Sequence, residues 1–194
     1  MKAEKLNELL YEALETEIGG VAVYETAIKC AQHKQLKEEW QEYLEQTRNH
    51  EEILRRVFQA LALDPNKQTP GRKVVHHQGE SLVKAMEMAR ANGQPEAAQV
   101  VASECIVLAE TKDHLNWHLL KKASEEAKGE TQTALRQAVE EVEDQEDEHL
   151  YHTMGWTREL WLESLGIPAV LPPPEEEKDV RTAIGAARAA QSRR

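Results

Sequence analysis

The stretch ETEIGGVAVYETA, residues 15–27, carries the features that decide how the first part of the chain folds. Its surroundings have helical apolar periodicity, yet Gly19 and Gly20 stand side by side within it and Glu17 falls on the apolar side. Each glycine in a helix interior costs about 1 kcal/mol relative to alanine. A buried carboxylate costs more unless it is paired or binds a metal ion. The stretch therefore predicts a helix whose centre serves close packing or leaves space beside a site.

Composition limits the function classes that the chain supports. Its 194 residues suffice for one sizeable domain, and its net charge of −11 lacks the basic footprint of a nucleic-acid binder. No apolar run approaches the roughly 20 residues that cross a bilayer, and the charged N-terminus does not resemble a signal peptide. We expect a cytoplasmic protein with no nucleic-acid or membrane partner, in which Cys30 and Cys105 are buried thiols.

Glycine and proline divide the chain into four long helices and one short helix. A loop, LDPNKQTPGRK, is predicted over 63–73, and Gly129 is in the position of a C-cap. The predicted helices cover 3–31, 36–62, 79–92, 95–128 and a last segment from a Thr131 or Thr133 cap to about Leu165. Short joints follow the first and third long helices. These lengths predict an all-α, antiparallel four-helix bundle of two hairpins, with a long crossover that contains the short helix.

The C-terminal part has a different composition from the rest of the chain. We expect residues 1–166 to form the bundle and residues 167–194 to form a proline-rich linker followed by a basic segment. That segment is interpreted either as a loose tail or as an arm that docks on a partner or on a second subunit.

Polar residues interrupt the apolar stripe of each long helix near its middle. In an antiparallel bundle such positions meet at one level, which would bring together Glu17, His50, Glu110, Glu146 and His149. A cluster of uncompensated carboxylates would repel and raise its own pKa values, and a divalent metal ion removes that cost. Carboxylates with imidazoles suit iron or manganese, and the absence of thiolates argues against structural zinc.

Two spacings sharpen this prediction. Tyr24 follows Glu17 by seven residues, and Trp117 follows Glu110 by seven, so each aromatic ring lies on the face of its glutamate. Glu146 and His149 form an ExxH pair on one face of the last helix.

With these motifs, residues 5–160 resemble the ferritin-like superfamily, which includes bacterioferritins, rubrerythrins and related small di-iron carboxylate proteins. The family has a glutamate with an aromatic residue seven positions on in two helices, and ExxH in the other two. The resemblance implies two iron ions, with manganese as the alternative metal. It also implies the metal ligands Glu17, His50, Glu110, Asp113, Glu146 and His149, and Tyr24 and Trp117 as catalytic side chains beside them.

The chain departs from the family pattern at two places. Thr47 stands where the family has the glutamate of the second helix, and Trp117 replaces the more common tyrosine. His114 is an alternative to Asp113 on the inner face. Rival acids within reach of the stripes are Glu45, Glu51, Glu104 and Glu143, and the residues assigned to the surface are His33, His76, His77 and His152.

The resemblance implies an oxidoreductase that oxidises ferrous iron or reduces dioxygen or peroxide, with ferroxidase-like or peroxidase-like activity in iron or oxidative-stress handling. A homodimer is the expected assembly. The alternative, favoured by Thr47, is a catalytically inactive ferritin-like scaffold with a structural or protein-interaction role.

Overall fold

The computed structural model describes residues 1–170, and this part of the chain is helical without strands. Its helices are α1 (Ala3–Cys30), α2 (Lys34–Ala60), α3 (Pro70–Ala91), α4 (Pro95–Glu126) and α5 (Gly129–Ser164). The all-α prediction is confirmed for these residues, whereas most of the predicted C-terminal linker and basic segment lies outside them. Within the described part, none of the helices combines the length and apolar character needed to cross a bilayer.

Four of the helices form a closed ring in which every neighbour is antiparallel. Tyr11 packs on Phe58 and Glu25 pairs with Arg48, so the order of contacts along α1 runs opposite to that along α2. The same reversal relates α4 to α5, α1 to α4 and α2 to α5. The two predicted hairpins, α1–α2 and α4–α5, are therefore present, and the crossover between them contains α3.

The crossover helix differs from its prediction. It begins at Pro70 rather than at residue 79, so it is a full-length helix and residues 70–73 do not belong to a loop. Thr69 caps it by accepting a hydrogen bond from the Arg72 backbone, and Pro70 is well suited to a first helical turn because its missing N–H is not needed there. A Pro-Gly pair is typical of a loop, so the Pro70-Gly71 pair made the predicted start of this helix too late.

The joint between α4 and α5 also differs in detail. Helix α4 ends at Glu126, and Gly129 opens α5 with a φ of +62° instead of closing α4. Lys128 occupies the N-cap position, while Thr133 bonds back to the Gly129 carbonyl, so neither predicted threonine cap is used.

Helix α3 packs outside the ring, against α1 and α4. A buried ion pair fixes it to α1: the Arg72 Nε atom donates to Glu15 Oε2 at 2.6 Å, and His76 Nδ1 lies 2.8 Å from Glu15 Oε1. Further along, a Cβ added to Gly79 would lie 3.4 Å from the Gly19 Cα atom. The two glycines therefore let the α1 and α3 backbones approach closely.

The interior of the ring has two apolar clusters, one towards each end. One cluster is centred on Trp40, Ile106 and Trp156, and the other on Leu10, Leu54 and Phe58. The predicted buried thiols are confirmed, since Cys30 and Cys105 are both free and buried. The level between the two apolar clusters is polar, and it holds the candidate site.

Candidate metal centre

The structure brings all six predicted ligand residues to one level inside the ring. Each is at most 6% exposed, and they come from all four ring helices: Glu17 (α1), His50 (α2), Glu110 and Asp113 (α4), and Glu146 and His149 (α5). The polar residues near the middle of each ring helix thus lie at the same level of the bundle, as the pattern of apolar and polar residues along the helices predicted. We call these six residues the carboxylate cluster.

Glu146 lies at the centre of the carboxylate cluster. Its Oε1 atom is 3.1 Å from His50 Nδ1 and 3.8 Å from His149 Nδ1. Two triplets have ligand atoms that all lie within 4.8 Å of one another, His50 with Glu146 and His149, and Glu17 with Asp113 and Glu146. Because Glu146 belongs to both triplets, it is the carboxylate best placed to be shared by two ions.

Within residues 1–170, at least one buried polar atom of every cluster residue has no hydrogen-bond partner. These atoms are Glu17 Oε2, His50 Nδ1, Glu110 Oε2, Asp113 Oδ1, His149 Nδ1 and both oxygens of Glu146. Buried polar atoms nearly always have a hydrogen-bond partner in native proteins, so a buried polar atom without one requires a specific explanation. Oxygen and imidazole nitrogen atoms facing a common space are the donors that iron and manganese take, so the residues fit a metal site.

Each histidine is oriented by a glutamine from the opposite helix. His50 Nε2 lies 2.7 Å from Gln145 Oε1, and His149 Nε2 lies 2.6 Å from Gln46 Oε1. An amide oxygen only accepts hydrogen bonds, so Nε2 carries the proton of each neutral ring. Both Nδ1 atoms therefore present a lone pair to the carboxylates, which is the arrangement that a metal-binding imidazole needs.

The electrostatics of the cluster favour uncharged groups when no cation is bound. Burial, and next to it the Asp113 carboxyl, raises the pKa of Glu17 well above its usual range. Burial and the Glu146 carboxyl do the same to the pKa of Asp113, and burial and Glu110 to the pKa of Glu146. Burial lowers the pKa of His50. A bound cation would reverse these tendencies by compensating the carboxylate charge.

The two aromatic residues predicted beside the metals bond to the glutamates crosswise. The Tyr24 hydroxyl donates to Glu110 Oε1 at 2.7 Å, and Trp117 Nε1 donates to Glu17 Oε1 at 2.8 Å. Each aromatic side chain therefore holds the glutamate of the neighbouring helix rather than its own. Both are buried, and each leaves the second oxygen of its glutamate free to face the cluster.

The open alternatives of the sequence analysis are resolved by position. Asp113 points inward, whereas His114 pairs with Asp147 between α4 and α5. The rival acids lie outside the cluster: Glu45 pairs with Arg48, Glu51 with Arg55 and Glu143 with Lys121, and Glu104 accepts from Trp161. Thr47 is buried at 3% exposure and supplies no carboxylate.

The paired glycines serve packing on two sides of α1. Gly19 faces Gly79 of α3, and a Cβ on Gly20 would lie 3.1 Å from the Thr47 methyl group of α2. A groove of about 530 Å³ between α1, α3 and α4 passes along Gly19 and Gly20. The close approach of both neighbours supports the packing interpretation of these glycines.

Sequence reasoning missed three contributors to this level and misplaced a fourth. Gln46, Gln145 and Tyr43 were not identified, although each lies four or seven residues before a predicted histidine ligand on the same helix. His152 was assigned to the surface, and this is wrong: it is 7% exposed and contacts Tyr43 and Glu39. Its position three residues after His149 places it on the inner face, and that spacing was the available signal. Of the other three histidines, His76 and His77 are exposed as expected, and His33 is half-buried against Trp156.

No protein-family model, curated protein or solved structure matches this chain.

Proposed function

We propose that the chain is a ferritin-like di-metal carboxylate protein that would hold two iron ions. Ferrous iron would be oxidised there to ferric iron, and dioxygen or peroxide would be reduced. One observation carries the proposal. Four carboxylates and two imidazoles from four helices meet in a buried space and leave seven polar atoms without partners among the described residues. An apolar core would not retain such a set, because each unpaired buried group costs roughly 1–3 kcal/mol.

The ligands divide naturally between two ions around the shared Glu146. Glu17 and Asp113 lie with it in one triplet of ligand atoms, and His50 and His149 lie with it in the other. His50 Nδ1 is also 3.7 Å from Glu17 Oε1, and His149 Nδ1 is 3.6 Å from Glu110 Oε2. Asp113 thus supplies a fourth carboxylate in a chain that has threonine at position 47. The position of Asp113 supports the di-metal proposal, whereas the threonine at position 47 favours the alternative, an inactive scaffold.

The metal pair would supply the redox chemistry, and the chain's own residues would hold it. Negative carboxylates stabilise the ferric state more than the ferrous state, and neutral Nδ1 lone pairs complete the coordination. Tyr24 and Trp117 keep Glu110 and Glu17 in place through one oxygen each. Manganese suits the same donors and is the alternative metal.

Metal loading tests the proposal directly. Protein stripped with a chelator is incubated without oxygen with ferrous iron and separated from unbound ions, and its metal content is measured; oxygen consumption is then followed. We expect about two ions per chain, with oxygen uptake that depends on them. Glu17→Ala and Glu110→Ala should lose bound iron, whereas Glu104→Gln, an acid on α4 outside the cluster, should retain it.

An intact helical fold that binds no iron or manganese would contradict the proposal and favour the scaffold alternative. Equal metal content in wild type, Glu17→Ala and Glu110→Ala would exclude the carboxylate cluster as the site.

A further inference from the structure

Most of the exposed apolar side chains of the helices lie on one side of the ring. Among the residues that the structure describes, α1 and α2 expose no large apolar side chain, whereas α4 and α5 expose several. Single exposed apolar residues are ordinary on a protein surface, but a contiguous set usually marks a surface that meets another protein. We call this set the α4–α5 patch, and its members are Leu108, Leu115, Leu119, Met154 and Trp161.

The part of the patch on α4 is a ridge. Leu108, Leu115 and Leu119 are spaced by seven and four residues, so they share one face of the helix over about 17 Å. Thr111 lies between the first two, and its hydroxyl donates to the Val107 carbonyl at 2.6 Å. The hydroxyl donor on the ridge is thus already used within α4, and a small side chain at this point lets another helix approach closely.

The residues of α5 extend the ridge sideways. Trp161 Nε1 donates to Glu104 Oε1 at 2.8 Å, and the ring of Tyr151 is 6.1 Å from that of His114. Because the two helices are antiparallel, these two contacts place Met154 level with the middle of the ridge. The α4–α5 patch is therefore continuous across both helices.

Charge favours this face for contact between two copies of the chain. The net charge is −11, so two copies repel one another wherever their acidic surfaces meet. Helix α2 exposes acids along its length: Glu38, Glu42, Glu45 and Glu52. In the described stretch 108–119 of α4, by contrast, none of the exposed residues is acidic: they are Leu108, Thr111, Leu115, His118 and Leu119.

The charges that border the ridge are complementary to those of an antiparallel second copy. Glu104 precedes Leu108 by four residues, and Lys122 follows Leu115 by seven, so both charges lie on the ridge side of α4. When Leu108 lies against Leu115 of the other copy, Glu104 lies within one turn of the other copy's Lys122, at both ends of the contact. Lys122 pairs with Glu125 on the exposed surface, and such a pair contributes little in water.

We propose that the α4–α5 patch is the surface through which two copies of this chain form a two-fold dimer. The two α4 helices cross antiparallel near Thr111, Leu108 of each copy packs against Leu115 of the other, and Met154 and Trp161 flank the contact. An isologous interface of this kind buries both apolar ridges at once and closes the assembly at two subunits. Dimerisation through this patch does not require a bound metal ion.

Sedimentation equilibrium of the full-length protein at several concentrations tests the association. We expect wild type to dimerise, and Leu108→Glu combined with Leu115→Glu to weaken dimerisation at least roughly 100-fold, because each lost apolar contact occurs twice in an isologous interface. Met88→Glu on α3 is the matched control. Met88 and Leu108 are both 62% exposed, but Met88 lies outside the patch, so the control should associate like wild type. Circular dichroism shows whether the variants are folded.

Two further variants test the antiparallel arrangement. Since Cys30 and Cys105 are buried, Thr111→Cys adds one accessible thiol, which meets its own copy near the two-fold axis. Mild oxidation should yield a covalent dimer of Thr111→Cys but not of Met88→Cys.

A charge exchange tests the ends of the contact. Glu104→Lys should weaken dimerisation several-fold at low salt and less at high salt, because it places two cations near each other at both ends. Adding Lys122→Glu should restore the association.

Several results would overturn the assignment of the α4–α5 patch. They are a wild-type protein that is monomeric at every concentration, a dimer that survives Leu108→Glu with Leu115→Glu, and a dimer that Met88→Glu disrupts as strongly. A dimer that does not cross-link through Thr111→Cys, or that the charge exchange fails to restore, overturns the antiparallel crossing. Metal content measured on the same samples keeps the two proposals separate, since failure of the dimer leaves the metal centre standing and absence of metal leaves the dimer standing.

Discussion

The α1–α2 hairpin and the α4–α5 hairpin contribute matching side chains to the carboxylate cluster and its surroundings. In both, the first helix has a glutamate followed after seven residues by an aromatic residue, and the second has a glutamine four residues before a histidine. The matched pairs are Glu17 with Glu110, Tyr24 with Trp117, Gln46 with Gln145, and His50 with His149. Each member of a pair also contacts the opposite hairpin in the equivalent way.

The two hairpins differ at two equivalent positions, and both differences concern carboxylates. Gly20 matches Asp113, three residues after the glutamate, and Thr47 matches Glu146, three residues before the histidine. The α4–α5 hairpin consequently supplies three of the four carboxylates of the cluster, and the α1–α2 hairpin supplies only Glu17. The cluster thus has four carboxylates, as many as two acids from each hairpin would supply, but they are unevenly divided between the hairpins. Gly20 and Thr47, which stand where the α1–α2 hairpin has no acid, pack closely against each other.

The largest effect on metal content should come from replacing Glu146, whose equivalent in the other hairpin is Thr47. Glu146→Gln removes the carboxylate that belongs to both ligand triplets, so we expect it to lose both ions. Thr47→Val at the matching position keeps the shape and should leave metal content unchanged. Elemental analysis after iron loading measures both, and a Glu146→Gln protein that still holds the full complement would show that Glu146 is not shared.

A carboxylate transfer between the hairpins should have the next largest effect. Asp113→Asn is expected to lose one ion, and adding Thr47→Glu should restore it, since position 47 precedes His50 by three residues just as Glu146 precedes His149. Thr47→Gln in the same Asp113→Asn background is the matched control and should not restore binding. If Thr47→Glu fails to raise the stoichiometry, the hairpins are not interchangeable at this position.

The metal-free protein should lose stability as pH rises, because the carboxyl groups of the cluster are buried and crowded together. The pKa values of Glu17, Asp113 and Glu146 are raised on folding, so their contribution is complete below the unfolded-state pKa of about 4 and is lost as pH rises through the raised values. Each such group contributes a slope of about 1.4 kcal/mol per pH unit within its window.

Urea unfolding of chelator-treated protein at several pH values measures this slope. The lowered pKa of His50 acts in the opposite sense below about pH 6.5, so the comparison is made between wild type and Asp113→Asn, which share that histidine. We expect the variant to gain stability relative to wild type as pH rises. A constant difference would mean that Asp113 is ionised and compensated in the metal-free fold.

The smallest effects should come from the matched aromatic pair. Tyr24→Phe removes one hydrogen bond to Glu110 and should cost about 1 kcal/mol of unfolding free energy. Trp117→Phe removes the bond to Glu17 and also leaves a cavity, so its cost should be larger. Unfolding curves of the metal-free proteins give both values, and equal costs would indicate that the neighbouring helices close the Trp117 cavity.

Much of the candidate site could be predicted because helical periodicity is a local property. The spacing from Glu17 to Tyr24 and from Glu110 to Trp117 specifies a shared face whatever the helices pack against. The polar middle and apolar ends of each stripe likewise predicted that the polar residues would meet at one level. Their roles as metal ligands stay a prediction.

The sequence alone therefore determined the helical class, the hairpin order and the level at which the candidate ligands lie, since these follow from backbone hydrogen bonding and side-chain periodicity within each helix. Only the tertiary structure decided which groups touch. The crossing of α2 and α5 brings Gln46 to His149, Gln145 to His50 and Tyr43 to His152. Such contacts depend on the register between helices distant in sequence, where a shift of one turn, about 5.4 Å, would replace every partner.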